Sequence, residues 1–219
     1  MIEQIYNNQI KNSNLTIIAS RPYKGKSVLA HNLIQSVLDK DECVMLYSLE
    51  MAEDDVRLRM LSAKESISFK SLQDANKFVK KQTNPKLFID IDSSNIEQIE
   101  KTLREFKSKC KELSLCVIDY IQLTDSVEEL AYRLQNLSRE LHLPIILVSQ
   151  LSPKVESRHN KRPLIVDFRE SYLSQIADVV IMIHRKEEYA EFIIAKSPTQ
   201  ISESIHVRFN EEFLRFEKC

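Results

Sequence analysis

The chain has 219 residues, enough for one sizeable α/β domain but cramped for two. Its 31 basic and 32 acidic side chains give a formal net charge of −1, so any binding to nucleic acid or to a membrane surface needs a local patch. No apolar run is long enough to cross a bilayer, and the first residues lack the pattern of a signal peptide. We therefore expect a single cytoplasmic domain over residues 1–219.

Cysteine and glycine usage add two further expectations. The four cysteines form no C-x-x-C pair, and Cys43 and Cys116 open apolar runs, which predicts reduced and mostly buried thiols. Gly25 is the only glycine, so other residues must occupy the positions that need a positive φ. Asparagine tolerates that region best after glycine, and we expect it to do so within residues 7–8 and 12–14.

The first predicted elements are a short apolar strand and a helix, joined by a turn that contains Gly25. The sequence fits the phosphate-loop pattern G-x-x-x-x-G-K-[ST] at Gly25, Lys26 and Ser27, with Ser20 in place of the first glycine. In such a loop, backbone N–H groups and the helix N-terminus surround phosphates, the lysine reaches the β- and γ-phosphates, and the hydroxyl holds Mg²⁺. An ordinary strand-turn-helix with a surface Lys-Ser pair is the alternative for this stretch alone.

Later apolar runs carry polar side chains at or just beyond their carboxyl ends. They are residues 43–48 before Glu50, 115–123 around Asp119, and 144–149 before Gln150. Ligands of open α/β sheets lie outside the carboxyl ends of the strands, so we expect these three side chains near the phosphate loop. An acid placed like Asp119 typically holds Mg²⁺ through water. The alternative is a strand-end aspartate that caps a turn.

Helical patterns separate the predicted strands. Helices are predicted at 54–65, 69–81, 96–113 and 127–142, with a further strand at 86–91. Residues 151–167 are polar, basic and poor in helical pattern, and residues 178–216 contain four short segments typical of antiparallel strands. The order predicts an α/β fold with a P-loop core, a mainly parallel sheet flanked by helices, and C-terminal antiparallel hairpins.

Several short blocks occur in one order along the chain. They are A-S-R-P-Y-K-G-K-S at 19–27, Y-S-L-E-M at 47–51, L-F-I-D at 87–90, V-I-D-Y-I-Q-L at 117–123, S-Q-L-S at 149–152, K-R-P at 161–163 with F-R-E-S at 168–171, and I-I-A-K at 193–196. With these blocks the chain resembles the C-terminal ATPase domain of DnaB-type replicative helicases, a RecA-like fold, from about residue 15 to residue 216. The resemblance implies ATP hydrolysis with Mg²⁺ that drives a ring of six subunits along single-stranded DNA.

The resemblance also assigns roles by position. Nucleotide binding would fall to Arg21, Pro22, Gly25, Lys26, Ser27 and Asp119, with Ser27 and Asp119 holding the metal. Catalytic roles would fall to Glu50, which orients the attacking water, to Gln150, which senses the γ-phosphate, and to Lys196. DNA contacts would fall to Lys154, Arg169 and Glu170, extended by the basic residues Arg158, Lys161 and Arg162 unless that loop is simply solvated.

Departures from the family pattern leave the function open. Pro198 stands where the family has an arginine that reaches a neighbour's ATP, Pro153 stands where its first DNA loop has an arginine, and Tyr172 replaces a glycine. We also expect no N-terminal collar domain or linker helix. One function is an ATPase of the DnaB class; the alternative is a degenerate paralogue that binds nucleotide and a helicase ring or loader without unwinding DNA. A RecA-like ATPase of the recombinase or clock-protein type is more distant.

Overall fold

Strands and helices alternate over most of the chain. A computed structural model describes residues 1–74, 84–93, 95–119, 127–169, 172–198 and 203–219. Its strands are β1 (Leu15–Ser20), β2 (Cys43–Ser48), β3 (Leu87–Asp90), β4 (Leu113–Asp119), β5 (Ile145–Gln150), β6 (Val179–Lys186), β7 (Tyr189–Lys196), β8 (Glu203–Asn210) and β9 (Arg215–Lys218). Its α-helices are α1 (Ile2–Ile5), α2 (Lys26–Leu38), α3 (Glu53–Glu65), α4 (Phe69–Asp74), α5 (Ile96–Lys109), α6 (Val127–Leu141) and α7 (Tyr172–Ile176). A π-helical turn spans Tyr6–Ile10, and 3₁₀ turns span Pro153–Ser157 and Ile165–Asp167.

The described strands form a nine-stranded sheet in the order β3-β2-β4-β5-β1-β6-β7-β8-β9. Pairing is parallel from β3 to β6 and antiparallel from β6 to β9. The predicted mainly parallel sheet with an antiparallel end is therefore confirmed. Strand β6 pairs antiparallel with β7, as predicted, and it also pairs in parallel with β1, which the sequence did not predict. The Asp178 carboxylate, which accepts hydrogen bonds from the backbone N–H groups of Asn14 and Leu15, fixes the starts of both strands side by side.

Alternating side chains along the strands divide the core into two layers. On β1, Ile18 packs into the layer covered by α2 and α3, whereas Ile17 packs into the layer covered by α5, α6 and α7. Both isoleucines are fully buried. Because each central strand is covered on both faces, its sequence reads as a continuous apolar run, which is why the strands were recognisable.

The boundaries of α5 and β4 differ from the prediction. The helix ends at Lys109, because Cys110 adopts an extended backbone and the Lys107 ammonium donates to the carbonyl of Leu113. Leu113 already pairs with Cys43 as the first residue of β4, not the last residue of the helix. Helix α4 accounts for 69–74 of the helix predicted to continue to 81; residues 75–83 lie outside the described residues.

Positive φ angles occur at residues other than those expected. In the described part of the chain they are Tyr23, Asp41, Ser66, His142, Glu187 and Leu214, together with Gly25. The expectation that asparagines would take these positions is wrong. Most of these residues lie in the turns that end α3 and α6 or in the connections β6–β7 and β8–β9, so the position of the turn and not the residue type sets the requirement.

The cysteines are free thiols, with Cys43 and Cys116 buried. None of the helices in the described ranges combines the length and apolar character that a membrane span requires.

A buried histidine on α2 makes stability depend on pH. His31 is 3% exposed, and burial together with nearby Arg59 lowers its pKa from 6.5 to about 3. Protonation therefore favours the unfolded chain, and the folded state loses stability as pH falls below 6.5, by at most about 1.4 kcal/mol per pH unit. We expect His31→Gln to flatten this part of the pH profile of urea unfolding. The exposed His159→Gln is the control, and an unchanged slope in His31→Gln would contradict the assignment.

Candidate nucleotide-binding site

The turn between β1 and α2 depends on Gly25 for two reasons. Its φ is 100°, in the left-handed region, and an added Cβ would lie 2.7 Å from Cζ of Phe216. The turn is closed by a hydrogen bond from the Lys24 N–H to the Arg21 carbonyl, and α2 follows at once with the Leu29 N–H donating to the Gly25 carbonyl. This is the strand-turn-helix geometry that the phosphate-loop pattern predicts.

Strand register brings the other candidate residues to the same edge. Ser20, at the end of β1, pairs with Gln150 at the end of β5, and Ser48, at the end of β2, pairs with Asp119 at the end of β4. Glu50 follows β2 by two residues. This arrangement agrees with the expectation that the carboxyl ends of the strands gather around the phosphate loop.

A cleft of about 460 Å³ opens at this edge, a volume suited to a small-molecule ligand. Its lining comprises Pro22, Tyr23, Gly25, Lys26, Ser27, Val28, Glu50, Met51, Arg59, Gln150, Arg185, Phe209, Glu211 and Leu214. The loop, the ends of two strands, the helices α2 and α3 and the C-terminal strands all contribute. Six of the nine residues predicted for nucleotide chemistry line this cleft; Arg21, Asp119 and Lys196 do not.

The lining of the cleft includes a charge pair with one buried and one half-exposed partner. Lys26 is 8% exposed and its ammonium lies 3.8 Å from the half-exposed carboxylate of Glu50. Asp119 is 1% exposed, and burial raises the pKa of its carboxyl, while the Lys26 ammonium and the Ser27 hydroxyl act in the opposite direction. Neither carboxylate oxygen of Asp119 has a hydrogen-bond partner of good geometry among the described residues. A buried carboxylate in this state favours a cation nearby.

These residues fit a hydrated Mg²⁺ ion. The buried carboxylate of Asp119 lies close to the hydroxyl of Ser27, which lines the cleft, and both groups offer the hard oxygen ligands that Mg²⁺ prefers. Among the described residues, no cluster of three or more His, Cys, Asp or Glu side chains is arranged as a metal cage. That matches the habit of Mg²⁺, which keeps several waters and takes one or two protein ligands together with substrate phosphates.

Two arginines and an aromatic ring complete the cleft. Arg185 donates from Nη2 to the Tyr23 carbonyl at 3.0 Å, and its guanidinium lies 4.0 Å from the centroid of the Phe209 ring. Arg59 reaches the cleft from α3, and its buried Nε has no hydrogen-bond partner in the part of the chain that the structure describes. None of these three residues is among those predicted for the site from the sequence. No local sequence pattern marks Arg59 and Phe209 as site residues, because α3 and β8 approach the phosphate loop only in the folded chain.

Lys196 lies at the opposite end of the strands from the phosphate loop, near the amino ends of the parallel strands. Its ammonium donates to the carbonyls of Ser174 at 3.0 Å and Gln175 at 2.8 Å, beside a cleft of about 790 Å³ at the amino ends of the parallel strands. It does not meet the phosphate loop of its own chain. A catalytic role for Lys196 therefore stays a prediction that concerns a nucleotide held by another subunit.

The predicted DNA-contacting residues divide into two groups. Lys154 and Arg169 are exposed and form no ion pair among the described residues, and Glu170 lies outside them. The basic run is instead neutralised, with Arg158 to Asp167 at 2.6 Å, Lys161 to Glu156 at 3.0 Å and Arg162 to Glu191 at 2.6 Å. The positive charge that this loop can offer to DNA therefore comes mainly from Lys154 and Arg169.

The fold and the cleft define an α/β protein of the P-loop class. The model of the DnaB-like helicase C terminal domain family matches residues 5–218, and the chain belongs to that family. It is 30% identical to the replicative DNA helicase DnaB of Helicobacter pylori over 97% of this chain and 57% of that protein. It is 33% identical to DnaB of Geobacillus stearothermophilus, over 93% of this chain and 52% of that protein. The chain thus spans little more than half the length of these curated relatives.

A solved structure supports the same assignment. A DnaB-like replicative helicase, whose structure was described together with its interactions with primase, superposes with a TM-score of 0.87 at 26% identity, covering 98% of this chain and 59% of that one. The RecA-like fold that the sequence predicted is therefore confirmed. The matches favour the DnaB class over the paralogue and recombinase alternatives.

Asp119 should cost stability while it serves the site. A carboxyl with a raised folded-state pKa contributes stability at low pH that is lost as pH rises through that pKa. We expect Asp119→Asn to raise the melting temperature of the nucleotide-free protein at pH 7.5 by a few degrees, with a smaller gain near pH 4, since 1 kcal/mol corresponds to about 2–4 °C in a domain of this size.

The same variant should lose most of the further rise that magnesium nucleotide gives the wild type. Exposed Asp92→Asn is the control and should resemble the wild type in both measurements. A lower melting temperature for Asp119→Asn without nucleotide would show that the carboxylate is satisfied in the folded protein.

Proposed function

We propose that the chain binds ATP with Mg²⁺ in the cleft at the phosphate loop and hydrolyses it. The observation that carries the proposal is the Asp119 carboxylate, which is buried close to Lys26 and Ser27 without a hydrogen bond of good geometry among the described residues. Family membership supports it independently. The metal would lie between Ser27, Asp119 and the phosphates, and it would neutralise phosphate charge.

The side chains of the cleft suit distinct steps of hydrolysis. Lys26 offers an ammonium at the start of α2, where backbone N–H groups also favour phosphate. Glu50 carries a half-exposed carboxylate that can orient a water and take its proton. Gln150, at the end of β5, can donate an amide hydrogen bond to the terminal phosphate, and the chain leads from it directly into the loop that bears Lys154.

Removing the ammonium tests nucleotide binding. We expect Lys26→Ala to weaken the binding of MgADP by roughly tenfold or more in titration calorimetry, since a hydrogen bond to a charged group contributes about 1.5–3 kcal/mol. Lys24→Ala is the matched control, because Lys24 belongs to the same turn but does not line the cleft. Absence of heat with the wild type at millimolar nucleotide would sink the proposal.

We also propose that the exposed side of the loop after β5 contacts single-stranded DNA in replication. Lys154 and Arg169 offer cations without competing carboxylates among the described residues. Such contacts read phosphate charge and not sequence, so binding should be sequence-blind and weakened by salt. The relatives named above are replicative DNA helicases, which supports this partner.

Turnover by this chain should be slow, because the segment expected to reach a neighbour's nucleotide carries no arginine. In the proposed ring, each ATP lies between subunits, and the position that would supply the arginine has exposed Pro198 instead. Lys196 is nearby, but its ammonium already donates to two carbonyls and lacks the planar fork of a guanidinium. An arginine finger contributes about 10³ to 10⁵ in rate in related nucleotide hydrolysis.

We expect the purified chain to hydrolyse ATP on the order of 10⁻³ s⁻¹, the scale of P-loop enzymes that lack this arginine, with no strand separation on a forked substrate. Pro198→Arg should raise turnover if subunits meet in the family's geometry. Glu105→Arg, which adds an arginine at an exposed position of α5 away from both loops, serves as the control. The assay is phosphate release with and without oligo(dT), alongside mass in solution. Rapid, DNA-stimulated unwinding by the wild type would mean that another arginine, such as Arg185, completes the site.

A further inference from the structure

The chain between β5 and α7 is built as a closed unit, residues 151–168, which we call the basic loop. Leu151 pairs with Phe168 in an antiparallel bridge, and the Ser152 N–H donates to the Asp167 carbonyl at 2.7 Å. Inside the loop, Arg158 bonds the Asp167 carboxylate at 2.6 Å, and Val155 is fully buried. The basic loop can therefore move as one body rather than fray residue by residue.

One contact joins the basic loop to the phosphate loop through charge. Arg21 Nη1 lies 2.7 Å from Oε1 of Glu156, and the Arg21 side chain is only 10% exposed. Arg21 also shapes the phosphate loop itself, because its carbonyl accepts the N–H of Lys24. The second oxygen of Glu156 accepts from the Lys161 ammonium at 3.0 Å. A single carboxylate thus bonds a cation of each loop.

Several cationic side chains lie close together around the Arg21–Glu156 ion pair. The pKa of Lys24 is lowered by burial and then by Arg21, Arg185 and Lys161, with Glu156 acting in the opposite direction. The pKa of Glu156 is lowered by its bonds to Arg21 and Lys161. Without the carboxylate, the remaining cations would repel one another and separate the two loops.

We propose that Glu156 is a positioning residue that couples the phosphate loop to the basic loop. The inference rests on the proposed function, because it requires a nucleotide at the phosphate loop. Phosphate bound there fixes the backbone around Arg21, Glu156 transmits that order to the basic loop, and by linkage a ligand on the basic loop strengthens nucleotide binding equally. Arg162, paired with Glu191 on β7, holds the opposite side of the basic loop and acts as its hinge.

Hydrogen exchange tests the coupling in the full chain. We expect MgADP to slow exchange of backbone amides at residues 153–167 in the wild type by roughly fivefold or more, the low end of typical coupling between sites. Glu156→Gln should still bind MgADP in calorimetry but lose this slowing, and Glu156→Asp, which keeps the charge, should recover part of it. Lys161→Ala is the matched control, since it removes the other partner of Glu156 and leaves the Arg21 contact.

The outcomes separate the coupling from the proposed function. Failure of the wild type to bind MgADP would overturn the proposed function and the coupling with it. Binding without slowed exchange in the basic loop would overturn the coupling alone, as would full slowing in Glu156→Gln. Loss of MgADP binding in Glu156→Gln would place the carboxylate in the binding machinery itself and would likewise overturn a purely positioning role.

Discussion

The Asp119 carboxylate leaves water when the sheet forms, and the described residues give neither of its oxygens a hydrogen bond of good geometry. Desolvation of an unpaired charge opposes folding, so the surrounding core must offset it. The nearby Lys26 ammonium reduces the cost, and a metal ion with its phosphates would reduce it further. Burial of this carboxylate therefore opposes folding of the nucleotide-free chain, and binding of the proposed magnesium nucleotide would offset part of that cost.

The phosphate loop is restrained from two directions. On one side Phe216 packs against Gly25, and its backbone N–H donates to the Asn32 amide oxygen on α2. Phe216 also packs edge-on against Phe192, with ring centroids 4.8 Å apart. On the other side Glu156 holds Arg21. The C-terminal strands thus help to form the candidate site, since Phe216 on the last of them packs against the glycine that shapes the loop.

The sequence predicted the features that depend on local residue patterns and missed those that depend on contacts between distant segments of the chain. Continuous apolar runs identified the buried strands, and their carboxyl ends located Glu50, Asp119 and Gln150 because parallel strands end at one edge. Short alternating segments look alike whichever neighbour they join, so the parallel pairing of β6 with β1 was missed. Ion pairs across long sequence separations, such as Arg21 with Glu156, leave no local pattern. The basic run shows the same limit, since Arg158, Lys161 and Arg162 each form an ion pair with a carboxylate and leave less charge for a ligand than composition suggests.

The positions of Lys196 and Lys26 constrain how copies of this chain can cooperate. Lys26 lies at the carboxyl edge of the parallel strands, whereas Lys196 and Pro198 lie at the amino edge, beside the start of β1. A subunit that offers the 196–198 segment to a neighbour's nucleotide must therefore join two different surfaces. Such a heterologous contact repeats from one copy to the next, and it closes only as a ring or continues as a helix. A two-fold dimer that buried the same surface on both copies would leave both clefts without that segment. Sharing of the 196–198 segment between copies would therefore require a ring or a helix.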